Sequence, residues 1–403
     1  MRVTAVPVDT ELLDLPWSAP LETWANDQLV TLPRGISRHV VRFVRINGVV
    51  YAIKETPQRP AEREYALLRE IEKLDMPAVE AVAVVHDRRA PDGAPLDAAL
   101  ITRHLRFSLP YRALFSHTLG PDTQSRLLDA LAVLLVRMHL AGFFWGDCSL
   151  SNTLFRRDAG AFAAYLVDAE TGALHPRLSD GQRREDIELA QVNIFGETLD
   201  VAASGSLDPS IDPEWVAGEV VRRYEALWHE LTYEEFVPFQ ERHRLEARIR
   251  RLNDLGFDVA EFSLATVGEG FTLRPKVVDA GHHARRLKRL TGLSTQENQA
   301  RRLLNDLDRF RAANHIEDEE FAAHRWLTQI FEPVVRAVPP QLRGKLEPPE
   351  VFHQLLDHRW FLSEAAGEDV GFTGALPSFL THVLPHKPDE LALLSRDDPD
   401  ADR

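Results

Sequence analysis

The stretch MHLAGFFWGDCSLSN, Met138 to Asn152, decides how the rest of the chain is read. It ends an apolar helix near His139, breaks at Gly142, runs through two phenylalanines and a tryptophan, and sets Asp147 five residues before Asn152. Turns use Asp, Asn, Ser and Gly, so a carboxylate and a carboxamide on a short loop carry no meaning alone. Their meaning comes from what flanks them.

Upstream, the helix pattern DTQSRLLDALAVLLVRMHLAG opens at Asp122 or Thr123, either of which suits an N-cap. Further upstream, β-branched and aromatic runs surround Asn47-Gly48 in ISRHVVRFVRINGVVYAIKET, which predicts a β-hairpin. PAEREYALLREIEKL follows at helical spacing, and AVEAVAVV and DAALITRHL read as two further strands separated by a turn. Downstream come a short strand TLF, a turn at RRDAG, the strand AFAAYLVDAE and a helix REDIELAQVNIFGETLDVAA. The Ser-, Gly- and Pro-rich SGSLDPSIDPEW reads as a linker. Beyond about residue 215 the pattern is mainly helical, with one hairpin near Gly268-Glu269-Gly270 and an acidic, structureless tail over 386–403.

A chain of 403 residues exceeds what one core usually supports, so two or three domains are expected. The net charge of −15 argues against nucleic acid or an anionic membrane as a broad partner, because phosphate neutralisation needs surplus Lys and Arg. No run of apolar residues is long enough to span a bilayer, and MRVTAVPVDTELLDLPW lacks the basic leader and apolar core of an export signal. With Cys148 as the single cysteine, the expectation is a cytoplasmic protein without disulfides. Nothing in the sequence sets an oligomeric state.

The order of parts is that of a protein-kinase-like phosphotransferase: a hairpin with a lysine, a helix with glutamates, more strands, a long helix, a loop with Asp and Asn, and a strand ending in Asp168. Lys54, late in its strand, suits contact with the α- and β-phosphates of ATP. Such a lysine needs an anionic partner, and Glu64 is the first candidate, with Glu62 and Glu70 as rivals. Asp147 suits the orienting and deprotonation of an acceptor hydroxyl, while Asn152 and Asp168 suit Mg²⁺. Gly35 and Ser37, in LPRGISRHVVRF, are the candidate phosphate-covering residues.

MHLAGFFWGDCSLSNTLF followed by YLVDAE resembles the catalytic and metal-binding segments of the lipopolysaccharide (Kdo/WaaP) kinases and the aminoglycoside phosphotransferases. The likeness covers roughly residues 31 to 205. It implies an α+β, two-lobed protein-kinase-like fold, with an N-lobe over 31–103 after an N-terminal segment, 1–30, and a C-lobe over 104–205. Residues 216–385 resemble a helical domain of unknown function that follows such kinase-like domains in uncharacterised bacterial proteins, which implies no activity.

The chain departs from that pattern in three places. Residues 31–38 hold one glycine, Gly35, so Ser37, Arg38 or His39 would have to supply donors from side chains. Trp145 stands where these kinases often have a histidine, and reads as a buried structural residue. Asp168-Ala169-Glu170 replaces Asp-Phe-Gly, keeping the metal carboxylate without the phenylalanine switch. Only TGALHPRLSDGQR separates this motif from the next helix, too little for the peptide-docking segment of a protein kinase, so the expected acceptor is small or polar-headed. Asp186 reads equally as a brace for the catalytic loop or as an acid at a helix start.

Two other readings compete. One is a nucleotide-binding pseudokinase whose helical half binds a partner. The other is a polyanion-binding module using Arg285, Arg286, Lys288, Arg289, Arg301 and Arg302, a run that also suits a solvated helix face or a phosphorylated substrate. His282-His283 and the pair His353 and His358 read as ordinary histidines, and Cys148 has no base beside it.

Overall fold

The computed structural model describes residues 1–5, 9–25, 29–30, 39–110, 114, 121–205, 207–208, 211–233, 235–238, 243–244, 247–248, 250, 252, 262–267, 270–275 and 281–391. Its chain divides into two compact units, one of residues 1–156, 164–222 and 391–403, the other of residues 157–163 and 223–390.

The first unit opens with a six-stranded antiparallel sheet of β1 (Arg2–Ala5), β2 (Leu29–Val30), β3 (Val40–Ile46), β4 (Val49–Thr56), β5 (Glu80–His86) and β6 (Ala98–Arg103). Its order is β1-β5-β6-β4-β3-β2. Asn47 and Gly48 both take left-handed angles, φ 49° and 77°, as a two-residue turn between twisted strands requires. This register sets Lys54 opposite Val41 on β3 and Leu100 on β6.

The N-terminal segment completes the core of this sheet. Leu12, Leu15, Trp17, Leu21 and Trp24 bury against Val44, Ile46, Ile53 and Ile101. Arg88, fully enclosed, donates to the carbonyls of Trp17, Ala19 and Asp97 and to Glu55. A buried guanidinium with four acceptors is satisfied, which ties segment to sheet.

Helix α1 (Gln58–Lys73) buries Ala61, Glu64, Leu68 and Ile71, a stripe at three- and four-residue steps. Glu64 is the carboxylate within that stripe.

The rest of the unit is built on α2 (Pro121–Leu140), which is apolar nearly all round and buried accordingly. It starts at Pro121, so Asp122 lies in the first turn and not at the cap. Gly142 follows with φ +83°, and a Cβ there would sit 2.0 Å from the carbonyl oxygen of His175. Only glycine fits that backbone approach. Short strands β7 (Leu109–Pro110) and β8 (Phe143–Phe144) precede β9 (Thr153–Asp158), β10 (Ala161–Leu166) and β11 (Ala173–Leu174). Strand β9 outruns the expected TLF, because the turn falls on Ala159 and Gly160, both with positive φ.

Helix α3 (Asp180–Ala203) starts four residues before the expected REDIELAQ. Ser179 and Gln182 form a reciprocal capping box there, a Ser-x-x-Gln signal in the sequence. Helix α4 (Pro213–Thr232) carries the chain onward.

In the second unit, β12 (Glu235–Pro238), β13 (Phe262–Val267) and β14 (Gly270–Pro275) form a sheet of order β12-β14-β13. The expected hairpin is thus joined by a third strand, while its turn residues Gly268 and Glu269 lie outside the described residues. Helices α5 (His282–Thr291), α6 (Glu297–Ala313), α7 (Glu319–Trp326), α8 (Glu332–Ala337), α9 (Pro348–Ala366) and α10 (Gly371–His382) follow. They enclose Leu303, Leu307, Trp326, Phe352, Leu355 and Phe379. Between α7 and α8 a π turn at Leu327–Phe331 falls just before Pro333, which cannot donate the regular helical bond.

Of the expected tail, His386 closes a 3₁₀ turn that begins at Leu384 and Glu390 is buried, whereas residues 392–403 lie outside the described residues. No helix among the described residues is long and apolar enough to cross a membrane.

Candidate active site

Lys54 reaches from β4 to the buried stripe of α1. Its Nζ lies 3.0 Å from Glu64 Oε2, 2.7 Å from Asp168 Oδ2 and 2.8 Å from Glu170 Oε2. The rival glutamates are engaged elsewhere: Glu62 meets Gln58 and His86, and Glu70 pairs with Lys73. Position in the buried stripe separates Glu64 from them. Its second oxygen accepts the N–H of Ala169 at 3.3 Å, so it holds both the lysine and the segment after β10 that carries Asp168.

Burial works against the Lys54 ammonium, but Glu64 and then Asp168 outweigh it and hold its pKa above the ordinary lysine range. Glu64 is pushed up to about 7, first by burial and then by the charge of Asp168. For Asp168, burial is opposed by Lys54, which wins and lowers the carboxyl below its ordinary range. Between the two carboxylates Glu64 and Asp168, the shared ammonium favours ionising the more exposed one.

On the loop after α2, Asn152 Nδ2 donates to the carbonyl of Asp147 at 3.0 Å and to its Oδ2 at 3.2 Å. Asn193 of α3 donates to Asp147 Oδ1 at 3.0 Å. Two links join this pair to the lysine cluster: the N–H of Val167 donates to the Asn152 carbonyl, and the indole N–H of Trp145 donates to the Asp168 carbonyl. Trp145 is fully buried, as its reading as a structural residue expects.

The same loop rests on one face of α3. Asp186 accepts from the N–H groups of Trp145 and Gly146, at 2.7 and 2.8 Å, and from His139 Nε2 at 3.0 Å. Glu197 accepts from the N–H groups of Leu150 and Ser151 and from the Ser151 hydroxyl. Asp186 therefore braces the loop. Asn193, Glu197 and Glu170 were missed by reading the sequence. Two of the three had a signal: Asn193 and Glu197 stand seven and eleven residues after Asp186, which returns to the same helix face.

Carboxylate oxygens of Glu64, Asp168 and Glu170 all lie within 4.8 Å of one another, the one such cluster among the described residues. Hard oxygen donors of this kind fit Mg²⁺. Gly35 and Ser37 lie outside the described residues.

The competing features are largely absorbed into structure. His283 pairs with Glu297, His353 with Asp357, and His358 meets Ser378. Arg286 pairs with Glu319, and Arg302 with Asp357, so the basic run is partly neutralised. Cys148 is buried, and burial pushes its thiol well above the ordinary range, away from nucleophilic use.

Residues 43–196 match the lipopolysaccharide kinase (Kdo/WaaP) family, and residues 226–384 match a domain of unknown function, DUF4032. The resemblance to the lipopolysaccharide kinases read from the Asp147 loop and the Asp168 segment is borne out, as is the protein-kinase-like fold followed by a mainly helical region. The first match contains Lys54, Glu64, Asp147, Asn152 and Asp168. A solved structure described as WaaP in complex with acyl carrier protein aligns at 17% identity and a TM-score of 0.37, over 63% of this chain and 99% of that one. No curated protein matches the chain.

Proposed function

We propose, with the kinase-family likeness of residues 43–196 as premise, that this protein is an ATP- and Mg²⁺-dependent phosphotransferase acting on a hydroxyl group. The observation that carries the reading is the convergence of Glu64 and Asp168 on the Lys54 ammonium, linked through Trp145 and Val167 to the Asp147–Asn152 pair.

In this reading Lys54 donates to the α- and β-phosphates, and Glu64 keeps it from relaxing into solvent. Asp147, held by two carboxamides, orients the acceptor hydroxyl and takes its proton. Asp168 and Asn152 would hold the Mg²⁺, which when bound neutralises charge on the phosphates. Phosphoryl transfer asks for position and charge complementarity more than for covalent help, so these groups form a nearly complete apparatus. Helix α3 starts at Asp180, twelve positions after Asp168, which favours a small or polar-headed acceptor, phosphorylated or not, over a protein. The proposed lobes span 31–103 and 104–205, with the helical region over 216–385 of unassigned task. The lone buried cysteine suits the cytoplasm.

The decisive experiment is a thermal-shift series with ATP, GTP and ADP, with and without Mg²⁺, alongside γ-phosphate turnover of wild type and Asp147→Asn. Expected are Mg²⁺-dependent stabilisation by nucleotide, a fall in turnover of orders of magnitude in Asp147→Asn with affinity near normal, and no Mg²⁺-dependent nucleotide binding in Asp168→Ala. Equal turnover in wild type and Asp147→Asn removes Asp147 from the mechanism. The glycine-poor stretch 31–38 favours one second reading, a pseudokinase, which binds nucleotide without turning it over.

A further inference from the structure

Kinase phosphate loops hold their anion with backbone N–H groups that glycines expose, and residues 31–38 contain a single glycine. His39 follows directly. Its Nε2 lies 2.9 Å from Glu170 Oε2, and that same oxygen lies 2.8 Å from Lys54 Nζ. Two donors, one just before β3 and one on β4, meet at a single oxygen of a carboxylate from the Asp168 segment. All three side chains are largely withdrawn from solvent, with 21%, 12% and 27% exposure for His39, Lys54 and Glu170.

A position where an ammonium and an imidazole N–H converge is a position for an anionic oxygen. Here the protein fills it with its own carboxylate. We propose that His39 is a phosphate-binding residue of the nucleotide site, and that Glu170 Oε2 marks the place of a phosphate oxygen and must leave when nucleotide enters. The inference rests on the nucleotide-binding reading given above. It assigns to a side chain the task the missing glycines leave undone, and it gives Glu170, which stands where these kinases have glycine, the role of an internal competitor.

The two residues then act with opposite signs. Losing the donor weakens phosphate binding, whereas weakening the competitor strengthens it. No step of bond making is involved, since one anion replaces another on the same donors.

The test is calorimetric titration of adenosine, AMP and ADP, at constant Mg²⁺ and again with EDTA, into wild type, His39→Ala, His39→Gln and Glu170→Gln. Each variant is first matched to wild type by its thermal midpoint without ligand. His39→Ala is expected to lose about tenfold or more in ADP affinity with adenosine unchanged, a loss typical of one charge-assisted hydrogen bond. His39→Gln, which keeps a donor, recovers part of it. Glu170→Gln is expected to bind ADP several-fold tighter, again with adenosine unchanged. Equal losses for adenosine and ADP in His39→Ala, or no loss, overturn the assignment of His39. Weaker ADP binding by Glu170→Gln only with Mg²⁺ makes Glu170 a metal ligand and overturns its role as competitor. If wild type binds no nucleotide at all, the proposed function fails and takes this inference with it.

Discussion

Asp186 accepts two backbone N–H groups and an imidazole while fully enclosed, so its removal strands donors that have no water to turn to. Each buried donor left unpaired costs about 1–3 kcal/mol, so Asp186→Ala is expected to lose on the order of 3 kcal/mol in urea unfolding. Asp186→Asn keeps one acceptor and should lose less. Equal stability of Asp186→Ala and wild type would mean that other groups take over these N–H partners. From sequence alone Asp186 was balanced between this role and a helix-start acid, because burial, which separates the two, is a property of the packed fold. Lys54 and Glu64 were more legible. A strand-borne lysine and a glutamate on the apolar stripe of the next helix are local patterns, and the stripe also excludes Glu62 and Glu70. His39 was one of three candidate donors beside Gly35, but its meeting with Glu170 had no such signal, since it joins positions 131 residues apart and no local periodicity encodes it.

At the scale of elements, α3 is the scaffold of the loop that carries Asp147. Asp186, Asn193 and Glu197 fall within an arc of about 40° around the helix axis, and each holds a different part of the segment from Trp145 to Ser151. This explains why a helix with Ile187, Ala190, Ile194 and Val201 in the core also carries three polar groups pointing inward. The helix was legible as an element, but its start was misplaced because the capping box at Ser179 and Gln182 was not recognised as such. Glu197→Gln retains an acceptor for the loop N–H groups, whereas Glu197→Ala retains none. Turnover is therefore expected to fall about tenfold or more in Glu197→Ala, with nucleotide affinity close to wild type, and to recover substantially in Glu197→Gln. A parallel loss of nucleotide affinity in both variants would show that α3 supports the nucleotide site as a whole and not the loop in particular.

At the scale of the whole molecule, the second unit holds an unusual store of buried acid. Asp158 accepts from the N–H of Gln299 at 2.7 Å and from Asn298 at 3.0 Å, and Gln299 in turn donates to Glu347 and Glu350. Burial pushes Asp158 up to about 7 from an ordinary 3.8, and pushes Glu390 up to about 7 despite its pairing with Arg157. Above an unfolded-state pKa near 4 the folded unit thus holds protons that the unfolded chain has released. Its stability declines as pH rises toward 7 and levels off once both groups ionise, with a slope of at most about 1.4 kcal/mol per pH unit for each proton. Groups with lowered values, such as Asp369 at about 2 beside Arg359, are ionised in both states over this range and affect only the acid limb. Histidines contribute their own slope below about pH 6.5, so the clean quantity is the difference between wild type and Asp158→Asn. Asn at 158 is uncharged at every pH. Guanidine midpoints at pH 5, 6, 7 and 8 should therefore fall more steeply for wild type than for the variant. Parallel curves would mean that Asp158 is ionised at pH 5, its charge carried by the two amide donors from Asn298 and Gln299 without help from a proton.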